Sequence, residues 1–363
     1  MRVLILSRKE IANAFTGDSV QMRNTISCIR RLVDNVSHVY IDSFGCLFDE
    51  RGKLLNESLI SLCARHDVIH QLPRLEVSVH KTLQNVLTSR PVVVSTVFWS
   101  DVARLVVAWN NEIRGLWRVR AVLSTWRAGT KLFQDYSKGC NVFLPNSWAE
   151  GENVRKHFRL ASHAIVMPVP NAIKLPDFGL EGLARPAEIP FGEYVVCPAV
   201  FAPRKNQLGL IKALRNCDFP LVFMGNPLAS SRHYWNECRR KATPRMFFLE
   251  HRDNSSKEFW SVLRYSRCAC LPSDCETPGI ALLEASVAGA RPIITKNGGT
   301  QEYYGLSAEY LNPTSTSSIR DSITRGWMRG RLSKSESDYF RRYTWEWVAE
   351  QTVRAYQLAI ERF

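Results

Sequence analysis

The chain contains 363 residues, of which 45% are apolar and 23% charged, and it carries a formal net charge of +14. These values are typical of a soluble globular protein with two domains, and no apolar run approaches the roughly 20 residues that span a bilayer. The first apolar stretch is too short for a signal peptide, and the ten cysteines lack the spacing of metal ligands. We therefore expect a cytoplasmic protein with reduced cysteines. The positive charge is spread over both halves and suits anionic substrates, an anionic membrane or nucleic acid.

The first half alternates short apolar runs with segments of helical periodicity, which is typical of a parallel α/β sheet. The predicted strands are residues 2–7, 36–41, 67–70, 91–96 and 140–145, and the predicted helices are residues 20–33 and 76–88. Ligands bind at the carboxyl ends of such strands, so His70 and Trp99 are candidates for a cleft, although a lone histidine is more often structural. Gly17 and Asp18 lie between the first strand and the first helix. No GxGxxG motif is present there, which disfavours a dinucleotide, and an ordinary helix cap remains an alternative.

Residues 99–131 interleave four tryptophans with six basic residues. This pattern suits contact with an anionic membrane surface or with a lipid-linked acceptor. Stacking on nucleic acid would also use tryptophan and arginine, but we expect no nucleic acid partner. A helix with buried tryptophans and solvated arginines is the structural alternative.

The second half repeats the alternation of strands and helices. Its predicted strands are residues 194–198, 221–225, 246–249, 268–271 and 291–295. The turn after the first of these carries Arg204 and Lys205, two cations beside the free N–H groups of a helix start, which suit a diphosphate. Exposed surface charge is the alternative. Gly225 ends the next strand and would let a ligand approach the backbone closely.

The stretch 271–302 combines a strand, a loop, a helix, a second strand and a Gly-Gly turn. Glu276 lies in the loop, and Glu284 lies among apolar residues of the predicted helix 280–288, where an unpaired charge would be costly. A carboxylate accepts hydrogen bonds from a vicinal diol such as a ribose. The helix start offers N–H groups for a phosphate. A diol acceptor beside an anion cradle indicates a nucleotide. The residues that form the helix start are Thr277, Pro278, Gly279 and Ile280.

The ordered string from Pro272 to Glu302 resembles the donor-site signature of family 4 retaining glycosyltransferases of the GT-B fold. The matching residues are Pro272, Ser273, Glu276, Gly279, Glu284, Ala285, Gly289, Pro292, Gly298, Gly299 and Glu302. The segments 145–150, 165–173 and 343–350 resemble further parts of that family. The resemblance implies an α/β protein with two Rossmann-like domains that face each other across a cleft. The acceptor-side domain would comprise residues 1–170 with the C-terminal helix 345–363 crossing back to it, and the donor domain would comprise residues 171–344.

The implied enzyme moves a sugar from a nucleoside-diphosphate sugar to a hydroxyl of a glycan or lipid-linked acceptor, as in bacterial synthesis of cell-surface polysaccharide or lipopolysaccharide. Glu276 and Lys205 would be catalytic, Glu284 would hold the ribose, and Arg204, Gly225 and the helix start would complete the donor site. Gly17 and Asp18 would face the cleft. The loop 251–255 lies where members of the family usually contact the base, and this assignment rests on its position alone. No metal and no cofactor is expected. The protein would be cytoplasmic, in peripheral contact with the inner membrane face through residues 99–131.

Two departures from the family pattern affect this interpretation. Val200 stands where the family has the arginine of its donor motif, so that either Arg204 supplies the second cation or phosphate binding is weaker. Ala172 replaces the glycine of the interdomain linker. The alternatives are a GT-B nucleotide-sugar epimerase and a non-enzymatic basic protein that binds membranes or RNA.

Overall fold

The computed structural model describes residues 1–9, 17–42, 44–72, 89–97, 137–158 and 160–363. Their contacts divide the chain into two compact units. The first unit contains the described residues up to Ala172 together with Trp345–Phe363, and the second contains Ile173–Thr344. The predicted helix 76–88 and the tryptophan–arginine stretch 99–131 lie outside the described residues.

The described strands of the first unit form a seven-stranded sheet in the order β3-β2-β1-β4-β5-β6-β7, and among them only the edge strand β3 is antiparallel. The strands are β1 (Arg2–Arg8), β2 (Asn35–Ile41), β3 (Leu47–Phe48), β4 (Val68–Gln71), β5 (Val92–Ser95), β6 (Val142–Leu144) and β7 (Ile165–Val166). Residues 3–6 of β1 are fully buried, because a central parallel strand is covered on both faces. This explains why the sequence shows a continuous apolar run there.

The described helices of the first unit are α1 (Gly17–Leu32), α2 (Leu59–Ala64), α3 (Trp148–His157) and the C-terminal α11 (Trp345–Glu361). Helix α11 packs on α1, where Val348, Ala349 and Tyr356 join Met22 and Ile26 in one buried cluster. The predicted return of the terminal helix to the first domain is therefore confirmed.

The second unit is built on a six-stranded, fully parallel sheet in the order β10-β9-β8-β11-β12-β13. Its strands are β8 (Val195–Pro198), β9 (Leu221–Met224), β10 (Met246–Leu249), β11 (Cys268–Leu271), β12 (Arg291–Thr295) and β13 (Glu309–Leu311). The strand order reverses between β8 and β11, and the loops that leave the carboxyl ends of these two strands form the crevice in which doubly wound sheets bind ligands.

The described helices that connect the strands of the second unit are α4 (Gln207–Leu214), α5 (Arg232–Lys241), α6 (Lys257–Tyr265), α7 (Ile280–Val287), α8 (Thr300–Tyr304), α9 (Thr316–Arg329) and α10 (Lys334–Tyr339). The predicted helix 280–288 matches α7 to within one residue at its end. Helix α7 lies almost wholly in the core, since six of its residues are buried. No described helix has the length and apolar character needed to cross a bilayer.

Candidate active site in the second unit

Three loops that leave neighbouring strands meet at one edge of the second sheet. They follow β8, β11 and β12, and backbone hydrogen bonds join them. The amide of Asp274 donates to the carbonyl of Arg204 at 3.0 Å, and the amide of Glu276 donates to the carbonyl of Asn297 at 3.1 Å. These bonds make the loops a single frame around the switch point of the sheet.

The loop after β8 contains a short 3-10 turn, Pro203–Lys205, that ends at Asn206. Asn206 has a φ of 55° and is the only described non-glycine residue with positive φ. Its side-chain amide donates to the carbonyls of Pro272 at 3.2 Å and Pro313 at 2.8 Å. Asparagine tolerates the left-handed conformation, and these bonds fix the turn so that Lys205 points inward while Arg204 remains exposed.

Lys205 and Glu276 form a buried ion pair between the ammonium Nζ and the carboxylate Oε1. The side chains are 12% and 8% exposed, respectively. Burial lowers the pKa of Lys205 despite the opposing charge of Glu276. Burial alone would raise the pKa of Glu276, but the charges of Lys205 and Arg204 outweigh it and hold this pKa below its usual value. Each charge therefore offsets much of the cost of burying the other.

Gly298 holds the backbone of Glu276 in place. It has a φ of +105°, and a Cβ there would lie 2.0 Å from the carbonyl oxygen of Glu276. Only glycine permits this approach. Asn297 adds a side-chain bond to the carbonyl of Asp274 at 2.8 Å, so the Gly-Gly turn seen in the sequence acts as the support of the catalytic candidate.

The first turn of α7 lies beside the Glu276 carboxylate. A Cβ on Gly279, which has a φ of +80°, would lie 3.6 Å from Glu276 Oε2. The hydroxyl of Tyr304 lies 3.1 Å from the carbonyl of Pro278 and 3.2 Å from that of Gly279, to which it donates, and the Thr277–Pro278 peptide is cis. The first amides of a helix have no intrahelical partner and carry partial positive charge, so α7 presents an anion-binding end next to Lys205 and Glu276.

Glu284 lies on α7 and is 3% exposed. Its Oε1 accepts a hydrogen bond from the Asn254 side chain at 3.0 Å, and the carbonyl of Asn254 accepts one from the Trp260 indole at 2.8 Å. Burial raises the pKa of Glu284 to about 7, against the opposing effect of the Asn254 bond. A carboxyl group in this state exchanges its proton near neutral pH and gains from any ligand that donates hydrogen bonds to its charged form.

The structure thus brings together most of the predicted donor residues. Those that the loop frame and α7 hold in one region are Arg204, Lys205, Glu276, Thr277, Pro278, Gly279, Ile280 and Glu284. The sequence indicated Asn254 only as part of the loop 251–255. The one signal for it was its position after the carboxyl end of a predicted strand.

Gly225 has a structural reason to be glycine. Its φ is +153°, and a Cβ there would lie 2.3 Å from the carbonyl oxygen of Ala199. The close approach that it permits is therefore between the loops after β8 and β9. At Val200 the structure shows no cation. The carbonyl of Val200 accepts a bond from the Gln207 side chain at 2.9 Å, and Arg204 is the exposed cation on the same turn.

Four candidates were expected on the first unit. Gly17 and Asp18 are the first two residues of α1, and Trp99 lies outside the described residues. His70 is 1% exposed on β4. Its Nδ1 lies 2.7 Å from the Tyr356 hydroxyl and its Nε2 lies 2.8 Å from the Ser95 hydroxyl. Burial lowers the pKa of His70 to about 3, so its ring is neutral. The ring links β4 to β5 and α11, which agrees with a structural role for this histidine.

The fold places the chain among known structures. Its coordinates match sucrose-phosphate synthase from Thermosynechococcus elongatus with a TM-score of 0.68 at 14% identity, over 98% of each chain. They match Anabaena HepE in complex with UDP with a TM-score of 0.66 at 13% identity, over 98% of this chain and 99% of that one. A glycosyltransferase from Rickettsia africae matches with a TM-score of 0.68 at 12% identity, over 99% of each chain. The chain has the GT-B fold of glycosyltransferases.

Sequence comparison identifies the second unit more closely. Residues 189–315 match the family of glycosyl transferases group 1, and these residues include Lys205, Asn254, Glu276 and Glu284. An uncharacterized glycosyltransferase, MJ1607 of Methanocaldococcus jannaschii, is 28% identical over 98 residues, which is 25% of this chain and 25% of that protein. The match therefore spans about a quarter of the relative's length. The chain therefore has the GT-B fold, and residues 189–315 of its second unit match the family of glycosyl transferases group 1.

Proposed function

We propose that the protein is a retaining glycosyltransferase of family 4 that moves a sugar, a hexose in the simplest case, from a nucleoside-diphosphate sugar to a hydroxyl. The GT-B fold, the group 1 domain and the similarity to HepE, whose structure was solved in complex with UDP, support a nucleotide sugar as donor. The observation that carries the proposal is the frame of three loops. It sets Lys205 and Glu276 beside the first turn of α7, and Glu284 lies on the same helix.

The diphosphate of the donor would bind to the first amides of α7, with Lys205 and Arg204 as its cations. Lys205 is paired with Glu276 in the free protein, so the phosphates compete with that carboxylate for the ammonium. The sugar hydroxyls then donate to Glu276. This exchange keeps both buried charges compensated, which a buried pair requires.

Glu284 would accept both hydroxyls of the ribose, and Asn254 would orient its carboxyl group. In the transition state, negative charge develops on the departing phosphate. Preorganised Lys205 and the α7 amides stabilise this charge more than they stabilise the ground state, which is the requirement for catalysis. In a front-face mechanism the departing phosphate takes the proton of the attacking hydroxyl. The new bond then forms on the face that the phosphate leaves, and the configuration is retained.

The remaining parts of the proposal concern the setting of the reaction. We propose a glycan or lipid-linked acceptor in cell-surface polysaccharide synthesis and peripheral membrane contact through residues 99–131. We also propose that no metal is needed, since Lys205 and Arg204 already offer positive charge to the diphosphate. Titrations with magnesium and with EDTA test the last point, and flotation with anionic vesicles tests the membrane contact.

The test of the donor site is calorimetric titration with UDP, GDP, dTDP and ADP. One of them is expected to bind at micromolar strength. Glu284→Ala should then lose about 1.5–3 kcal/mol of binding free energy, the range for a hydrogen bond to a charged group. Glu237→Gln, which removes a carboxylate from an i,i+4 surface pair on α5, is the matched control and should bind like the wild type. Binding of no nucleotide, or equal binding by Glu284→Ala, would refute the proposal.

A further inference from the structure

The first unit contains a cavity at the carboxyl edge of its own sheet. The strand order reverses between β1 and β4, so this edge is also a switch point where open α/β sheets bind ligands. The cavity has a volume of about 40 Å³, whereas roughly 10–15 Å³ suffices for one water molecule. Its described polar lining residues are Arg8, Gln21, Thr25, Ser95, Asn146 and Thr352, and apolar side chains complete the lining.

The described lining of this cavity carries a positive charge and no negative one. Among its described lining residues only Arg8 is charged, and none is a carboxylate. Arg8 is the last residue of β1, so the sheet fixes its backbone at the carboxyl edge. A cation in a partly enclosed site with no carboxylate among its described neighbours attracts an anion.

Two polar atoms of the lining residues have no hydrogen-bond partner within the described part of the chain. They are Arg8 Nε and Thr25 Oγ1, and both are shielded from solvent. Thr25 is only 7% exposed. A buried donor without an acceptor destabilises the folded protein, and native proteins leave few such groups unless a ligand, ion or water completes them.

The other hydroxyl and amide groups that line the cavity are engaged within the protein. Ser95 bonds to His70 at 2.8 Å, Thr352 donates to the carbonyl of Val348 at 2.7 Å, and Gln21 donates to Asn146 at 3.2 Å. The site therefore offers a guanidinium and a hydroxyl that can donate. This set matches a phosphate or a carboxylate, because the planar guanidinium fork binds both in bidentate fashion.

We propose that this cavity binds the acidic group of the acceptor, a phosphate or a carboxylate, through Arg8 and Thr25. The identification of the ligand as an acceptor rests on the proposed function, whereas the anion site stands on the first unit alone. The acceptor is accordingly an acidic hydroxyl compound, such as a sugar phosphate or a sugar acid, and a neutral hydroxyl compound should bind more weakly.

The test measures the thermal unfolding midpoint of the full chain at constant ionic strength, with glycerol 3-phosphate, glycerate or glycerol added. An acidic probe at about ten times its Kd should raise the midpoint by about 2–4 °C, and glycerol should not. Arg8→Met should lose most of this rise and Thr25→Val part of it. Arg155→Met, which removes an exposed cation from α3, should keep it. The readout is the difference between variants, since Lys205 also attracts phosphate.

A second readout separates ligand binding from a structural role. Without any anion, Arg8→Met should unfold at the wild-type temperature or above, because it removes a guanidinium whose buried Nε has no partner among the described residues. An equal rise in wild type and Arg8→Met, or a fall in the anion-free midpoints of both Arg8→Met and Arg8→Lys, would overturn the proposal. A larger rise with glycerol 3-phosphate than with glycerate identifies phosphate, and the reverse identifies carboxylate. Failure here leaves nucleotide binding through Glu284 untouched, so the two proposals fail separately.

Discussion

The two sheet edges of this protein assemble their polar side chains in different ways. In the second unit, one stretch of chain from Pro272 to Glu302 supplies both glutamates, the helix start and the glycine turn that supports them. In the first unit, the bonds of His70 reach Ser95 and Tyr356, which lies 286 positions away along the chain. A contiguous site leaves an ordered pattern in the sequence, whereas a site gathered from several strands leaves only single residues at strand ends.

The Lys205–Glu276 pair is the strongest test of the contiguous site. Lys205→Met leaves a buried carboxylate without its counter-ion and should destabilise the protein by about 3–5 kcal/mol. Glu276→Gln should have a comparable effect for the converse reason. The double variant should recover a large part of the loss, because neither charge remains.

Urea unfolding of the wild type, both single variants and the double variant measures this coupling. Arg155→Met, which removes an exposed cation from α3 in the first unit, is the control and should change stability by less than about 1 kcal/mol. Strictly additive losses in the double variant would mean that the two groups do not compensate each other in solution.

Gly298 tests whether the turn supports the site. Gly298→Ala places a Cβ 2.0 Å from the carbonyl oxygen of Glu276 at a φ of +105°. Strain and overpacking together should cost about 2–4 kcal/mol, and nucleotide affinity should fall because Glu276 and Lys205 shift. Gly52→Ala is the control, since Gly52 has a φ of +80° with no atom within 4 Å of its added Cβ. Gly52→Ala therefore has the conformational cost of a positive φ without a steric clash. Equal losses of stability in both variants would show that Gly298 does not support the backbone of Glu276.

A substitution of His70 tests the edge of the first sheet, where the polar side chains come from distant parts of the chain. His70→Gln disturbs the bonds to the buried hydroxyls of Tyr356 and Ser95 and should destabilise the protein by about 1–3 kcal/mol. Nucleotide affinity and the rate of donor turnover should stay at wild-type values. Thermal unfolding together with an assay of nucleoside diphosphate release separates the two effects. A loss of turnover without a loss of stability would instead assign His70 to the acceptor, as its position at a strand end first suggested.

The sequence predicted best those strands and helices that are buried along their whole length. The strand 268–271 and the helix 280–288 were found with nearly their predicted bounds, since continuous burial makes their apolar runs unmistakable. The hairpin strand Leu47–Phe48 and the helix Leu59–Ala64 were missed, because two and six residues, respectively, are too short to show a period.

The sequence predicted a site residue only where a functional side chain also belongs to a recognisable pattern along the chain. Glu284 stands out because its carboxylate interrupts the apolar residues of a predicted helix, and Glu276 stands out through its place in the ordered string from Pro272 to Glu302. Asn254 and Arg8 do not, since an asparagine after a strand and an arginine at a strand end are common, and only packing shows that one contacts Glu284 and the other lines a cavity. The glycine at position 225 predicts a close approach to the backbone, but the sequence does not distinguish a ligand from the neighbouring loop that makes this approach in the structure.

The titration of Glu284 provides a further test of the site in the second unit. Burial raises its pKa to about 7, whereas the ribose hydroxyls bind the ionised form. Nucleotide binding therefore releases a proton below pH 7, and affinity should rise with pH and level off above it. Between pH 6 and pH 8 the expected gain is about tenfold, the change in the ionised fraction of a group with this pKa.

Glu284→Gln cannot ionise, so it should lose this dependence and retain only the contribution of the nucleotide phosphates, which titrate in the same range. Calorimetry at pH 6, 7 and 8 in two buffers of different ionisation enthalpy counts the released proton directly. Equal pH dependence in wild type and Glu284→Gln would place the ribose elsewhere and would leave the Lys205–Glu276 pair as the remaining basis of the donor site.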